Sequence, residues 1–333
     1  MKKYIIHYII SFLLIIISLL VFKLFFSGTS HSNFDVSYKE AFMKNYKIFA
    51  LDIPDTIYFA GERVPTEKYY VRESIDQELV KNTYGHSTTI LMFKRANRWF
   101  PIIEPILKKH NIPSDFKYLA LIESYFENNS SSKGAAGYWQ FMPITAIDHD
   151  LEVTDDIDER LNVEKATEAA CLYIRSMYKR YKNWTLAAAS YNVGEYSLNN
   201  SLNNQKVEDY HDLFLNKETA RYVYRIIAVK LIFKHPQDYG FYIRKKDLYS
   251  PIPTEYIEVD TTINDLVDFS IKHGINYKIL KELNPWLRKS FLNNKDRKKY
   301  QIKVLPKGYN PENLFKTPSE YEMELIENDS LGI

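Results

Sequence analysis

The stretch Phe116-Lys117-Tyr118-Leu119-Ala120-Leu121-Ile122-Glu123-Ser124 places one carboxylate on a helix that is otherwise almost wholly apolar. Glu123 follows Leu119 by four residues, so the two side chains share one face of the helix. A carboxylate on an apolar face must be paired, protonated or retained for a raised pKa. Burial favours the neutral acid, which can donate a proton near neutral pH. For this helix taken alone, a Glu123 that turns to solvent at the helix end explains the pattern equally well.

Three motifs downstream combine small, aromatic and amide residues. The first is Gly137-Tyr138-Trp139-Gln140, which by itself is typical of a packed loop between helices. The second, Ser190-Tyr191-Asn192-Val193-Gly194, ends an alanine-rich helix and fits an ordinary glycine C-cap. The third is Glu218-Thr219-Ala220-Arg221-Tyr222-Val223, at the start of an amphipathic segment. Each motif alone is a weak signal.

Together and in this order, the motifs resemble the catalytic domain of lytic murein transglycosylases, most closely the membrane-bound type D family. The resemblance covers roughly residues 53–307. It implies a mainly α fold, with a lysozyme-like α-helical catalytic domain and a small α+β LysM-like module. It also implies that Glu123 is the sole catalytic acid and base. The implied substrate is the glycan strand of peptidoglycan.

The resemblance assigns further roles residue by residue. It implies that Gln140 contacts the sugar and that Tyr191 and Asn192 line the site. Tyr222 would face the glutamate, and Ser124 would help to orient it. The implied reaction cleaves the β-1,4 bond between N-acetylmuramic acid and N-acetylglucosamine and forms a 1,6-anhydro sugar. In that reaction the substrate's own C6 hydroxyl replaces the second carboxylate that ordinary glycosidases need.

Two features depart from the family pattern. Tyr138-Trp139 stands where an aliphatic pair is commoner, which predicts a bulkier cleft wall near the sugar. Glu127, four residues past Glu123, is an acid that many relatives lack. A solvated Glu127 is the favoured interpretation; the alternative is that its charge raises the pKa of Glu123.

Composition and missing motifs argue against several other classes of function. Lysine plus arginine number 44 and aspartate plus glutamate 42, a net charge of +2 that argues against nucleic-acid binding. The single cysteine, Cys171, excludes an intramolecular disulfide and a thiolate zinc site, and it fits plain packing. Metal-binding histidine pairs and glycine-rich phosphate loops are absent from the sequence, so neither a metal nor a cofactor is predicted. The 27 tyrosines suit a cleft that grips sugars.

The N-terminus indicates the compartment. Lys2 and Lys3 precede an apolar run from Tyr4 to Phe22, close to the length that a helix needs to cross a bilayer. Residues 1–27 are therefore predicted to be an uncleaved membrane anchor, with a cleaved signal as the alternative. Either predicts that the rest of the chain lies in the cell envelope, at the periplasmic face of a bacterial membrane. The sequence makes no prediction of oligomeric state.

The remainder divides into four predicted parts. Residues 28–110 form a stem and a mixed helical region, whose helix 96–109 should be interrupted at Pro101 and Pro105. Residues 111–245 form the catalytic domain, with helices over 163–181 and 219–234. Residues 250–308 have the strand-helix-helix-strand order of a degenerate LysM-like module, and residues 309–333 an acidic, loose tail.

The LysM-like module lacks the usual Gly-Asp after its first strand and has Asp260-Thr261 instead. This leaves two equal interpretations, sugar binding and packing against the catalytic domain. For the whole chain, two alternatives to the transglycosylase stay open. One is a lysozyme-like hydrolase, distinguished by a reducing-end product, and the other is a non-enzymatic wall-binding scaffold in which Glu123 is dispensable.

Overall fold

A computed structural model describes residues 47–309 together with residues 13–18, 40 and 44, which are helical. Most of the predicted anchor and nearly all of the predicted acidic tail lie outside the described residues, so both stay predictions. Among the helices that are described, none combines the length and the apolar character needed to cross a membrane.

Helices dominate residues 47–309, and strands form only two antiparallel pairs there. The first part contains β1 (Ile57–Phe59), β2 (Glu62–Val64), α1 (Tyr69–Tyr84), α2 (His86–Lys109) and α3 (Phe116–Ser124). The central part contains α4 (Pro143–Ile147), α5 (Val163–Tyr181), α6 (Trp184–Val193), α7 (Glu195–Gln205) and α8 (Thr219–Lys234). The C-terminal part contains β3 (Glu255–Val259), α9 (Leu266–Lys272), α10 (Tyr277–Leu283) and β4 (Tyr300–Val304). The predicted mainly α fold class is confirmed.

Helix α2 differs from its prediction. It begins ten residues earlier than residue 96, at His86, and it runs through Pro101 and Pro105 without interruption. Both prolines lie on the exposed face, whereas Ile103 and Leu107 are buried on the other. Packing of that apolar face offsets the backbone hydrogen bonds that the two rings remove. The predicted interruptions are therefore wrong.

Helices α5 and α8 have the predicted bounds because local signals and the apolar period agree. Asn162 caps α5 by accepting a hydrogen bond from the Lys165 amide at 3.1 Å. Helix α8 ends at Lys234, two residues before Pro236. Cys171 lies buried among the apolar residues of α5, as expected for a packing role.

One hydrophobic core extends from Ile57 to Leu248. Helix α8 is its centre and packs along α1, α3 and α6. The rings of Phe93 on α2 and Phe233 on α8 are stacked with centroids 4.0 Å apart. Helices α1 and α2, which the sequence pattern places in a region before the catalytic domain, thus share one core with it.

The C-terminal module has the predicted strand-helix-helix-strand order, with Ile257 paired to Ile302 across its sheet. Its core takes in Ala136, Ile157 and Leu161 from the preceding part of the chain. Backbone hydrogen bonds join the two parts at Asp158 N to Trp286 O (2.9 Å) and at Arg288 N to Asp156 O (2.8 Å). The module is therefore docked on the helical domain, as one of the two interpretations of its sequence predicts.

Candidate active site

Glu123 ends a helix that is buried along its whole length. Every α3 residue from Phe116 to Ile122 is buried, and Glu123 itself is only partly exposed. The Tyr222 hydroxyl, reaching from α8, donates a hydrogen bond to Glu123 Oε1. Burial raises the pKa of Glu123 to about 7, although the Tyr222 hydrogen bond and the charge of Arg225 oppose the rise and Glu218 adds to it. Near neutral pH this carboxyl is therefore partly protonated and able to donate a proton.

The chain turns sharply after Glu123. Tyr125 and Phe126 both have left-handed backbone angles, with φ of 50° and 51°. The Ser124 hydroxyl holds this turn, since it accepts a hydrogen bond from Phe126 N at 3.1 Å and donates one to Tyr138 O at 2.9 Å. Ser124 therefore contacts backbone groups and not the Glu123 carboxyl, and any orienting effect on the acid passes through the backbone.

The loop Gly137–Gln140 lies against this turn. Gly137 has φ of 82°, and a Cβ at this position would stand 1.8 Å from Arg160 O, so only glycine fits. Gln140 is also left-handed (φ 49°), and its Nε2 donates to Gly137 O at 2.9 Å and to Asn129 O at 3.0 Å. These bonds fix the amide and leave its carbonyl Oε1 without a protein partner among the described residues.

The aromatic pair in this loop points into the core. Trp139 is fully buried and donates from Nε1 to Thr167 Oγ1 at 2.9 Å. Tyr138 is buried as well, with its ring centroid 4.8 Å from that of Trp99. The prediction of a bulkier cleft wall is therefore wrong, because both side chains fill internal space.

Tyr191 and Asn192 occupy the last turn of α6, which ends before Gly194 (φ 82°). The Tyr191 hydroxyl donates to Trp139 O at 2.8 Å, so it contacts the same loop as Ser124. Burial, and then the nearby charge of Glu123, raise the pKa of Tyr191 well above its ordinary value. Tyr191 is thus a neutral neighbour of the acid. The Asn192 side chain has no hydrogen-bond partner within residues 47–309, which leaves its amide available.

The structure therefore brings Glu123, Ser124, Gln140, Tyr191 and Tyr222 together around one loop and one carboxylate. Asn192 is placed beside them by its neighbour in sequence and not by a contact of its own. Within the described part of the chain, no group of three or more potential metal ligands lies close enough together to hold an ion.

The sequence pattern does not identify two charged residues near the acid. Arg225 lies one turn beyond Tyr222 on α8, and its charge lowers the pKa of Glu123. Glu78, almost fully buried on α1, accepts hydrogen bonds from Arg221 and, at 3.3 Å, from Arg225 Nε. The three-residue spacing from Tyr222 to Arg225 is a usable signal. Glu78 carries none, because its role depends on how α1 packs against α8.

Glu127 has a different partner from the one that the alternative interpretation requires. Arg95 Nη2 lies 2.6 Å from its carboxylate, and the side chain is 43% exposed. The acidic side chain whose charge raises the pKa of Glu123 is Glu218. The favoured interpretation, a solvated Glu127, agrees with this geometry.

Comparison with known protein families matches two segments of the chain. Residues 100–214 match the transglycosylase SLT domain. The chain therefore carries an SLT domain. Its matched segment includes Glu123, Gln140 and Tyr191 and ends before Tyr222. Residues 255–311 match the soluble lytic transglycosylase C-terminal LysM-like domain, in agreement with the predicted module.

Curated relatives of the SLT-domain chain include the membrane-bound lytic murein transglycosylase D of two Escherichia coli strains, K12 and O6:H1. Each is 28% identical over 228 residues, covering 67% of this chain and 49% of the relative. The chain thus spans about half the length of these relatives. A putative tributyltin chloride resistance protein of Alteromonas sp. is 31% identical over 125 residues, 37% of this chain and 60% of that protein. The predicted resemblance to the type D family is confirmed.

Proposed function

We propose that the protein is a lytic transglycosylase that cleaves the β-1,4 bond between N-acetylmuramic acid and N-acetylglucosamine in peptidoglycan. The observation that carries the proposal is the Glu123 carboxyl, which is largely removed from solvent, accepts a hydrogen bond from Tyr222 and has a pKa raised by burial to about 7. The SLT domain and the murein transglycosylases among the relatives support the same reaction class. No cofactor takes part.

The reaction would proceed in two proton transfers through one group. Protonated Glu123 gives its proton to the bridging oxygen as the bond from that oxygen to the anomeric carbon breaks, and N-acetylglucosamine leaves with a free hydroxyl. The resulting Glu123 carboxylate then accepts the proton of the muramyl C6 hydroxyl as its oxygen attacks the anomeric carbon. The product is a 1,6-anhydro ring, Glu123 is protonated again, and no water is consumed. A pKa near working pH suits a group with both roles.

The surrounding residues would position the acid and the sugar. Tyr222 holds the carboxyl directly, and Ser124 fixes the turn that follows it. We assign sugar contacts to Gln140 and Asn192, whose amides have unused hydrogen-bonding groups, and a place in the cleft wall to Tyr191. The Arg225 charge, held by Glu78, would stop the pKa of Glu123 from rising so far that the second step fails.

The cell envelope is the compartment that this substrate requires. The name of the Escherichia coli relatives describes a membrane-bound enzyme. With the predicted N-terminal anchor, it supports a location at the periplasmic face of a membrane, with peptidoglycan and the membrane as partners.

The first test is the Glu123→Gln variant with purified peptidoglycan. Glutamine keeps the shape of the side chain but transfers no proton, and one group serves both steps. We therefore expect the cleavage rate to fall by about 10⁴-fold or more, beyond a typical acid–base contribution. The matched control is Glu127→Gln, which neutralises the neighbouring acid and should keep most of the activity. A Glu123→Gln protein that retains a tenth of the wild-type rate would contradict the assignment of Glu123, whereas a wild-type protein that cleaves no peptidoglycan would favour a scaffold.

A further inference from the structure

Helix α7 and the loop after it form an excursion whose two ends lie at the candidate site. The helix begins at Glu195, directly after the Tyr191-Asn192 motif and Gly194. The loop returns to Glu218, whose charge acts on Glu123, and leads into α8 with Tyr222. An 11-residue helix is about 16 Å long, so the excursion covers a surface well beyond the reacting bond.

The solvent face of α7 is unusual in carrying amides in place of charges. Its sequence, Glu195-Tyr196-Ser197-Leu198-Asn199-Asn200-Ser201-Leu202-Asn203-Asn204-Gln205, has one charged residue, against 26% in the whole chain. Leu198 and Leu202 pack on the core, and Asn200, Asn203 and Asn204 are exposed. The side chains of these three asparagines make no hydrogen bond within residues 47–309. Asparagine is a poor helix former, so helix stability does not account for this choice of residues.

Exposed aromatic rings lie at both ends of this face. Tyr196, in its first turn, is 79% exposed. At its far end, Phe214 is 89% exposed, although contact between an apolar phenyl ring and water is unfavourable. The Gln205 carboxamide binds both backbone groups of Phe214: Phe214 N donates to Oε1 at 2.7 Å and Nε2 donates to Phe214 O at 2.8 Å. This reciprocal pair fixes the backbone of Phe214 against α7.

The loop is anchored on both sides of Phe214. Leu213, just before it, is buried in the core. Asn216, just after it, accepts hydrogen bonds from Glu218 N and Thr219 N, both at 3.1 Å, which fixes the start of α8. The phenyl ring is therefore displayed on a rigid support, as expected for a contact surface with little ordering entropy to lose on binding.

We infer that α7 and Phe214 form a remote glycan-binding surface, which extends the cleft and contacts the uncharged sugar backbone of the strand held at Glu123. The inference rests on the proposed function. Amide groups match the hydroxyl and N-acetyl groups of the sugars, and exposed aromatic rings match their apolar faces. The lack of charge on α7 favours the sugar backbone over the stem peptides, whose ionised groups would call for charged partners.

The test measures binding with Glu123→Gln protein, so that the strand is not cut. The probes are peptidoglycan glycan strands stripped of stem peptides, as long strands and as short fragments that reach only the candidate site; their lactyl carboxylates are then the only charges. Long strands that keep their stem peptides are measured for comparison. In this background, Phe214→Ala and the double variant Asn200→Ala/Asn204→Ala should each lower the affinity for long strands by about tenfold, comparable to one aromatic or paired polar contact. Affinity for the short fragments should not change. Both changes are on the surface, and alanine favours the helix, so the fold is kept.

Tyr242→Ala is the matched control, because this ring is 67% exposed outside the α7 excursion. It should leave both affinities unchanged. Equal long-strand affinity in all variants, equal losses on both probes, or a loss seen only on strands that carry stem peptides would overturn the inference. Wild-type cleavage is measured in parallel: if no strand is cut while the binding difference persists, the proposed reaction fails and the binding surface stands.

Discussion

Glu123 is held in an environment that opposes its ionisation. Its carboxyl lies at the end of a buried helix, and its closest hydrogen-bond partner is the neutral Tyr222 hydroxyl. Arg225 partly offsets the loss of water, but burial remains the largest influence on the pKa. In the proposed reaction, an acid kept in such a place serves proton transfer at the expense of stability.

The raised pKa of Glu123 predicts how the stability of the folded protein depends on pH. Between the ordinary pKa of 4.5 and the raised value of about 7, the folded protein keeps a proton that the unfolded chain has lost. Raising the pH across this window therefore lowers the stability, and above pH 7 the loss is complete. A glutamine side chain does not titrate in this range, so its effect on stability does not change with pH. We expect Glu123→Gln to be more stable than wild type at pH 8, by about 3 kcal/mol, and no more stable at pH 4.

Urea unfolding of both proteins at the two pH values checks this expectation. The difference between variant and wild type is the relevant quantity, because other groups also titrate in the range. A difference that is the same at pH 4 and pH 8 would show that the Glu123 carboxyl is not buried as described.

At the scale of elements, the Gly137–Gln140 loop connects the other site residues. Ser124 binds it from α3 and Tyr191 binds it from α6, through neighbouring carbonyl oxygens of Tyr138 and Trp139. The Arg160 backbone closes against Gly137 on the far side. A loop fixed from three sides keeps the Gln140 amide in one orientation, which is the preorganisation that the proposed sugar site needs.

Gly137→Ala should therefore be far more damaging than its small size suggests. The new Cβ would meet Arg160 O at 1.8 Å and would force a left-handed residue to carry a side chain. We expect a loss of more than about 3 kcal/mol in the free energy of unfolding, measured by thermal or urea unfolding. The matched control is Gly134→Ala in the same segment, with φ of 88° but open space around its Cβ, which should cost only about 1 kcal/mol. Equal effects of the two changes would contradict the described packing.

The sequence patterns could predict the helices but not the hydrogen bonds that join them to the Gly137–Gln140 loop. The apolar periods of α5 and α8 predict those helices, and the motif order predicts Glu123 and Tyr222 as site residues. The hydroxyls of Ser124 and Tyr191 donate to backbone carbonyl groups. Every residue has such a group, so the residue types do not reveal these contacts. The direction of Trp139 and the partner of Arg225 depend on how distant helices pack, and no local period encodes that. The predicted interruptions at Pro101 and Pro105 are wrong for the same reason, because tertiary packing overrides the tendency of proline to break a helix.

At the scale of the whole molecule, the C-terminal module is connected to the Gly137–Gln140 loop by a series of hydrogen bonds. Trp286 O accepts a hydrogen bond from Asp158 N, and the Asp158 carboxylate pairs with Arg160 at 2.8 Å. Arg160 Nη1 in turn donates to Gly134 O at 2.7 Å and to Phe141 O at 3.0 Å, on either side of the loop. Docking of the module and the order of the loop are thus connected through two buried side chains.

Removing the module should therefore affect the stability and the proposed cleavage activity more than the attachment to the wall. Deletion of residues 255–333 exposes Ile157 and Leu161. It also removes the Trp286 carbonyl, which accepts a hydrogen bond from Asp158 N beside the Asp158–Arg160 ion pair. We expect a melting temperature lower by several degrees and a lower cleavage rate, while most of the protein still sediments with insoluble murein. Deletion of residues 310–333 alone is the control and should change none of the three. A shortened protein with an unchanged melting temperature that no longer binds murein would assign the module to wall binding instead.

The central claim is that one carboxyl carries the whole reaction, and the cleavage product tests it most directly. Mass spectrometry of peptidoglycan digested by the purified protein distinguishes the two chemistries by the mass of one water molecule. We predict 1,6-anhydro-N-acetylmuramic acid ends that appear with wild type and disappear with Glu123→Gln. Reducing N-acetylmuramic acid ends, formed by wild type in their place, would contradict the account and show a hydrolase that uses a second group to activate water.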